Sequence, residues 1–126
     1  MCNGGETCST CPGDCGVCPP ACGELREGRS LSRGDTLTSC DGRFTLSMQG
    51  DGNLVLYQGG TPLWATSTST GSVASMQGDG NFVLYDPGGT PLFATDTGGN
   101  PHAWLAVQND GNLVVYTSAG TPIWAR

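Results

Sequence analysis

No lysine occurs among the 126 residues, and five arginines carry the positive charge against eleven acids, for a net charge of -6. Without a basic stripe to neutralise phosphates, the chain is a poor partner for nucleic acid or an anionic membrane. Long hydrophobic runs are also missing. No stretch reaches the roughly 18 to 20 apolar residues of a membrane span, so no insertion is expected, and Met1-Cys2-Asn3 does not open a charged-then-apolar secretion signal. Catalytic pairings are scarce: Cys40 and the single histidine, His102, lack a recognisable third group, and no close carboxylate pair recurs, so no enzyme is expected. Only 13% of residues are charged, while 21 glycines and 8 prolines break the chain into turns, which leaves little from which to build long amphipathic helices. The length suits one ordinary domain with a modest core and a small appendage.

The appendage is marked by cysteine. Cys2, Cys8, Cys11, Cys15, Cys18 and Cys22 crowd the first 22 residues, and only Cys40 lies beyond them. Residues 2–22 carry almost no large apolar side chains, so they need covalent or metal staples. A disulfide knot in an exported protein accounts for this density, which places the chain as secreted or extracellular. Thiolate-bound zinc or iron is the alternative, but only three residues separate the pairs Cys8/Cys11 and Cys15/Cys18, far fewer than a zinc ribbon uses. Glu6 and Asp14 beside Asn3 are read as solvated turn residues before calcium ligands, and no metal or cofactor is assigned. Seven is odd, so at least one thiol lacks a partner within the chain. Cys40 could bridge to Cys22, although connectivity does not follow from sequence. The segment resembles short cysteine-rich repeats of exported bacterial proteins, which suggests that a partner cysteine lies in a longer upstream sequence. The domain division is therefore 1–22 and 23–126.

From residue 44 the chain repeats itself: FTLSMQGDGNLVLYQGGTPLWAT, SVASMQGDGNFVLYDPGGTPLFAT and AWLAVQNDGNLVVYTSAGTPIWAR. Gln49, Gln77 and Gln108 set periods of 28 and 31 residues, the longer one absorbing a lengthened loop. In each copy an alternating run ends at glutamine, an Asp-Gly pair signals a hairpin, and a second alternating run follows. A third strand, 62–66, 91–95 and 122–126, is entered through Gly-Thr-Pro, where proline suits a first or edge position. With 29–33 and 36–40 added, about eleven strands of ordinary length are expected, in an all-β domain of pseudo-threefold symmetry.

Alternation assigns the faces. Leu54, Leu56, Phe82, Leu84, Leu113 and Val115 point to the core, as do Phe44, Leu46 and Met48, while Thr45 and Ser47 face out. Trp64, Phe93 and Trp124, one aromatic per repeat, are expected to meet near the threefold axis as core, at roughly 2 to 3 kcal/mol each by buried area. On the outward face, turn chemistry accounts for Asp51 and Gly52, and β-propensity for Val55 and Tyr57. Neither accounts for the recurrence of Gln49 and Asn53. A carboxylate, two carboxamides, a phenol and one apolar spot suit a neutral polyol with an aliphatic edge, which describes a sugar.

QGDGNLVLY, QGDGNFVLY and QNDGNLVVY resemble the Gln-x-Asp-x-Asn-x-Val-x-Tyr signature of the bulb-type (monocot) mannose-binding lectins, and the flanking Pro-x-Trp-Ala-Thr matches as well. The resemblance covers residues 23–126. It implies a type II β-prism of three four-stranded antiparallel sheets, twelve strands in place of eleven, with a metal-independent α-D-mannose site on each sheet. Carried over residue by residue, Asp51 and Asn53 would bind the axial 2-hydroxyl, Gln49 the 3-hydroxyl and Tyr57 the 4-hydroxyl, with Val55 against the ring carbons. Gln77, Asp79, Asn81, Val83 and Tyr85 repeat these roles, as do Gln108, Asp110, Asn112, Val114 and Tyr116. The partners implied are mannose, high-mannose glycans or a mannose-rich cell-surface polysaccharide, bound at up to three sites without catalysis. The alternative is a glycan-targeting module of a larger exported enzyme or lectin-like bacteriocin.

Departures from the family pattern matter. Gly52 stands where plant members place a bridging cysteine, and the amino-terminal cysteines are read as compensation. The sequence stops two residues after Trp124, which puts a strand-swapped homodimer in doubt. Trp104 aligns with Thr45 and Val73 on the outward parity and is read as a partly buried loop-facing side chain, with a platform for an extended site or a contact surface as alternatives. His102 is read as a solvated loop residue.

Overall fold

The computed structural model describes residues 22–126. The expected disulfide knot, Glu6, Asp14 and the cysteines from Cys2 to Cys18 lie outside the described residues. Within them the chain runs through β1 (Glu24–Leu25), β2 (Ser30–Ser32), β3 (Thr36–Thr38), β4 (Phe44–Met48), β5 (Leu54–Gln58), β6 (Thr61–Ala65), β7 (Val73–Met76), β8 (Phe82–Tyr85), β9 (Pro91–Ala94), β10 (Trp104–Val107), β11 (Leu113–Tyr116) and β12 (Pro122–Ala125). Each repeat contributes three consecutive antiparallel strands, and the amino-terminal stretch adds one to every repeat. The sheets are ordered β3-β4-β5-β6, β2-β7-β8-β9 and β1-β10-β11-β12. This is the β-prism, with twelve strands.

The strand missing from the count of eleven is β1, two residues long. It pairs with β10 through Glu24↔Ala106 and Leu25↔Leu105. Its signal was a period of six: Leu25, Leu31 and Leu37 each place one leucine against the core of a different sheet. Residues 24–38 thus form a strap that visits all three sheets. Cys22 and Cys40 stand at its two ends and are joined by a disulfide with a Cα–Cα distance of 5.0 Å across 18 residues. Closing a loop of that length restrains the unfolded chain by about 3 kcal/mol in the chain-entropy account.

Alternation places the core as expected. Leu46, Met48, Leu54, Leu56, Phe82, Leu84, Leu113 and Val115 are fully enclosed and Phe44 nearly so. Trp64, Phe93 and Trp124 meet edge-to-face in a closed triangle with ring centroids 5.5, 5.9 and 6.0 Å apart. They are half-buried, because the triangle forms a boundary of the core and is not enclosed by it. A register shift between Leu56 and Tyr57 lets the neighbours Leu63 and Trp64 both pack on the core, and the same irregularity recurs at Leu84/Tyr85 and Val115/Tyr116.

Asp41 holds the corner beside the disulfide. It accepts hydrogen bonds from Ser39 Oγ at 2.7 Å, Arg43 N at 3.1 Å and Arg43 Nε at 2.6 Å. These bonds, the Ser39 hydroxyl first and then the Arg43 amide and guanidinium, lower the Asp41 carboxyl from its ordinary 3.8 to about 2. Because the folded value is depressed, the stabilisation is complete above the ordinary value and is lost as pH falls towards 2. Asp41→Asn should therefore flatten the acid limb of the stability profile, with the parent's advantage shrinking between about pH 4 and 2 in urea unfolding. A second expectation concerns the turn glycines. Gly80 and Gly89 both have positive φ, 96° and 86°, but a Cβ on Gly80 would run into the Asn100 carbonyl whereas one on Gly89 meets nothing within 4 Å. Gly89→Ala should cost about 1 to 2 kcal/mol for backbone conformation alone, and Gly80→Ala clearly more in the same measurement.

Candidate functional site

The three Gln-x-Asp-x-Asn motifs occupy equivalent hairpin ends. In the first, Gln49 N donates to Asn53 O at 2.9 Å and Gly52 N to Gln49 O at 3.1 Å, so the loop is Gly50-Asp51-Gly52, with positive φ only at Gly52. This three-residue loop, a turn followed by a left-handed glycine, is longer than a two-residue Asp-Gly hairpin. It swings the aspartate up beside the strand. Asp51 Oδ1 accepts from Asn53 N at 3.0 Å, and Asp79 and Asp110 do the same for Asn81 and Asn112 at 2.9 Å.

Glutamine links the aspartate to the tyrosine. Gln49 meets the Tyr57 hydroxyl at one end, and its other end lies 3.2 Å from both Asp51 carboxylate oxygens. An ionised carboxylate only accepts, so the amide nitrogen faces Asp51 and the amide oxygen takes the tyrosine proton. Gln108 is held in the same way between Tyr116 and Asp110, at 3.2 and 3.3 Å from the carboxylate, and Gln77 is hydrogen-bonded to Tyr85. All five motif residues therefore gather on one face in each copy. The aspartates are exposed and the glutamines, asparagines and tyrosines half-buried, but Val55, Val83 and Val114 are each only 3% exposed. The valine is a floor beneath the polar groups, flanked across strands by small residues, Ser47 and Ala65 in the first copy.

Asparagine has a partner that the motif alone did not reveal. Asn53 Oδ1 accepts from Thr66 Oγ1 at 3.2 Å and Thr68 N at 3.3 Å, and Asn81 Oδ1 meets Thr95 and Thr97 equivalently at 3.2 and 3.4 Å. This explains part of the recurrence that turn chemistry left open: the carbonyl anchors the following loop and the Nδ2 protons point elsewhere. Between the threonines, Ser67 and Asp96 adopt φ of 59° and 56°, backbone held in the left-handed region because both flanking hydroxyls are tied down. Thr-x-Thr after the third strand was the available signal. The third copy lacks it. Arg126 stands in the place of Thr66 and Thr95, its guanidinium donating to Gly111 O at 3.0 and 2.7 Å, and Asn112 Oδ1 accepts from Leu113 N at 2.9 Å instead.

Trp104 is also particular to the third copy. It pairs across strands with Tyr116 and stacks on it, centroids 4.9 Å apart at 29°. Arg26 lies 4.3 Å from the Trp104 ring centre, and Arg26 is itself paired with Glu24 at 2.6 Å. Two groups that close to one centroid cannot share a face, so both faces of Trp104 are occupied and it is not a stacking platform. His102 is exposed, as read, and its Nδ1 meets Glu27 at 2.7 Å. Among the described residues no group of three or more His, Cys, Asp or Glu is placed to hold a metal ion.

No protein-family model and no curated protein matches the chain. Solved structures do. It is similar to the Japanese Marasmius oreades lectin at 37% identity and TM-score 0.80, over 84% of this chain and 91% of that one. It is also similar to the snowdrop (Galanthus nivalis) mannose-specific agglutinin complexed with methyl-α-D-mannoside, at 40% identity and TM-score 0.69, over 81% and 93%. A monomeric monocot mannose-binding lectin from Gastrodia elata matches at 36% identity and TM-score 0.72, over 81% and 94%. The chain belongs to the monocot mannose-binding lectin family. As a lectin of this family it is a carbohydrate-binding protein, and the repeated hairpin ends are its candidate sites. In this lectin the threonine anchors should matter to stability: Thr95→Val leaves the buried Phe82 N, now 3.2 Å from Thr95 Oγ1, without that acceptor. A loss of about 1 to 3 kcal/mol in urea unfolding is expected.

Proposed function

We propose that the lectin binds α-D-mannose and mannose-rich glycans at up to three metal-independent sites, one per sheet, without catalysis. The observation that carries this is the continuous chain from Tyr57 through Gln49 to Asp51, which holds the polar groups in place before any ligand arrives. Each site keeps for a sugar the outer carboxylate oxygen, the Asn Nδ2 protons, the tyrosine oxygen and the remaining capacity of the glutamine amide. About four hydrogen bonds of roughly 1 kcal/mol each give a dissociation constant near millimolar. The enclosed valine adds little apolar area to that sum. One site alone would therefore bind weakly, whereas several sites on different sheets gain from effective concentration on a clustered glycan such as a high-mannose chain or cell-surface polysaccharide. The Cys22–Cys40 disulfide supports a secreted or extracellular setting, where disulfides persist.

The test replaces Asp51, Asp79 and Asp110 together by asparagine. Asparagine keeps the acceptor that caps each turn while removing the charge, so the fold should remain. Titration of the triple variant with α-methyl mannoside, followed by amide NMR shifts, should show binding weakened at least about tenfold, the value of one charge-assisted hydrogen bond. Unchanged binding would remove these sites.

A further inference from the structure

The two ends of the prism are closed by different side chains. β6, β9 and β12 form one edge of the three sheets, and the rings of Trp64, Phe93 and Trp124 meet to close that end. The strap strands β3, β2 and β1 form the opposite edge, where each sheet offers only a leucine, Leu37, Leu31 and Leu25. Three leucines fill less space than three aromatic rings. A pit of about 470 Å³ remains among them, in the lower half of the range for ligand pockets.

Its rim carries charge that the fold does not use. The strap is a run of six-residue units, ELREGR, SLSRGD and TLTSCD, which sets Arg29 and Asp35 at the same position of successive units, both lining the pit. Their backbones are fixed, since Arg29 O accepts from Met76 N at 2.9 Å and Asp35 O from Met48 N at 3.0 Å. Arg26 spends its guanidinium on Glu24, Arg43 on Asp41, Arg33 on Gly71 O and Arg126 on Gly111 O, whereas the Arg29 guanidinium makes no such bond among the described residues. Asp35 uses one oxygen to cap Ser32 N at 2.9 Å, and its other oxygen meets no donor among the described residues. Glu24, the remaining acid at the rim, is balanced by Arg26 at 2.6 Å. An apolar floor beneath one unspent cation and one unspent carboxylate oxygen fits a ligand that carries both charges. A carboxylate without an amine would add an anion beside Asp35, and an amine without a carboxylate a cation beside Arg29.

We propose that the pit binds a free α-amino acid with a branched apolar side chain, its carboxylate on Arg29, its ammonium on Asp35 and its side chain over the three leucines. This site does not depend on the mannose reading. The full chain, labelled for amide NMR, is titrated with L-leucine, with isocaproate, which lacks the ammonium, and with leucinamide, which lacks the carboxylate. Leucine should give saturable shifts at the amides of Leu25, Leu31 and Leu37, with a midpoint on the order of millimolar, and leave the three Gln-x-Asp-x-Asn turns unmoved. Isocaproate and leucinamide should each bind at least about tenfold more weakly, the value of one charge-assisted hydrogen bond. Arg29→Gln should weaken leucine about tenfold and leave leucinamide unchanged, while Asp35→Asn, which keeps the acceptor for Ser32 N, should weaken leucine and leave isocaproate unchanged. That crossed pattern separates contact with the ligand from a general loosening of the strap. No saturable shift with leucine, equal binding of all three probes, or an equal loss for all three in either variant would overturn the site.

Discussion

The carbonyl of one turn glycine per repeat is the point from which the rest of the molecule hangs. Gly52 O accepts from Thr68 Oγ1 at 2.7 Å and Gly71 N at 3.0 Å, Gly80 O accepts from Thr97 Oγ1 at 2.5 Å, and Gly111 O accepts from the Arg126 guanidinium. Only glycine allows this approach: a Cβ on Gly52 would meet the Ser69 backbone and one on Gly111 the Phe44 ring at 2.9 Å. The same turn that raises aspartate beside the strand therefore receives the segment leading away from its sheet. Site geometry and the passage between sheets are one constraint, so neither can drift without the other.

The threefold symmetry is a symmetry of backbone more than of surface. Strand order and motif geometry recur in all three sheets, yet the third exchanges a threonine for Arg126, turns Asn112 to its own strand and stacks Trp104 on Tyr116. The disulfide falls at this sheet's edge because the strap begins on β1 of the third sheet and its far end, past β3 of the first sheet, returns beside that start. Asp41 and Arg43 reach from that corner to Asn109, through Asp41 N to Asn109 Oδ1 at 3.1 Å and Arg43 Nη2 to Asn109 O at 2.5 Å. The third hairpin turn is thus braced by the closure of the strap, an asymmetry that one shared motif does not announce.

What could be read along the chain followed from short-range rules. Alternation in Phe44–Met48 separated core from surface because a strand has period two, and in Leu54–Tyr57 it placed Leu54 and Leu56 in the core. β1 escaped because two residues carry no alternation; a six-residue leucine spacing was its trace. The role of Asn53 was half legible: its recurrence was visible, but its carbonyl partners lie 13 and 15 residues away in a loop with no strand pattern. Val55 obeyed parity and was still enclosed, since burial depends on what the neighbouring strands and long polar side chains cover.

By itself the sequence determined the all-β class, the three repeats, the core set and the five-residue constellation, because repetition and alternation are local properties of the chain. Only the tertiary structure decided that Cys22 pairs with Cys40, that the three aromatics close a half-buried triangle, that glutamine bridges tyrosine to aspartate, and that a cavity opens among the three strap leucines. Each of these depends on which distant segments three-dimensional closure brings within a few ångströms. Spacing along the chain does not encode that distance.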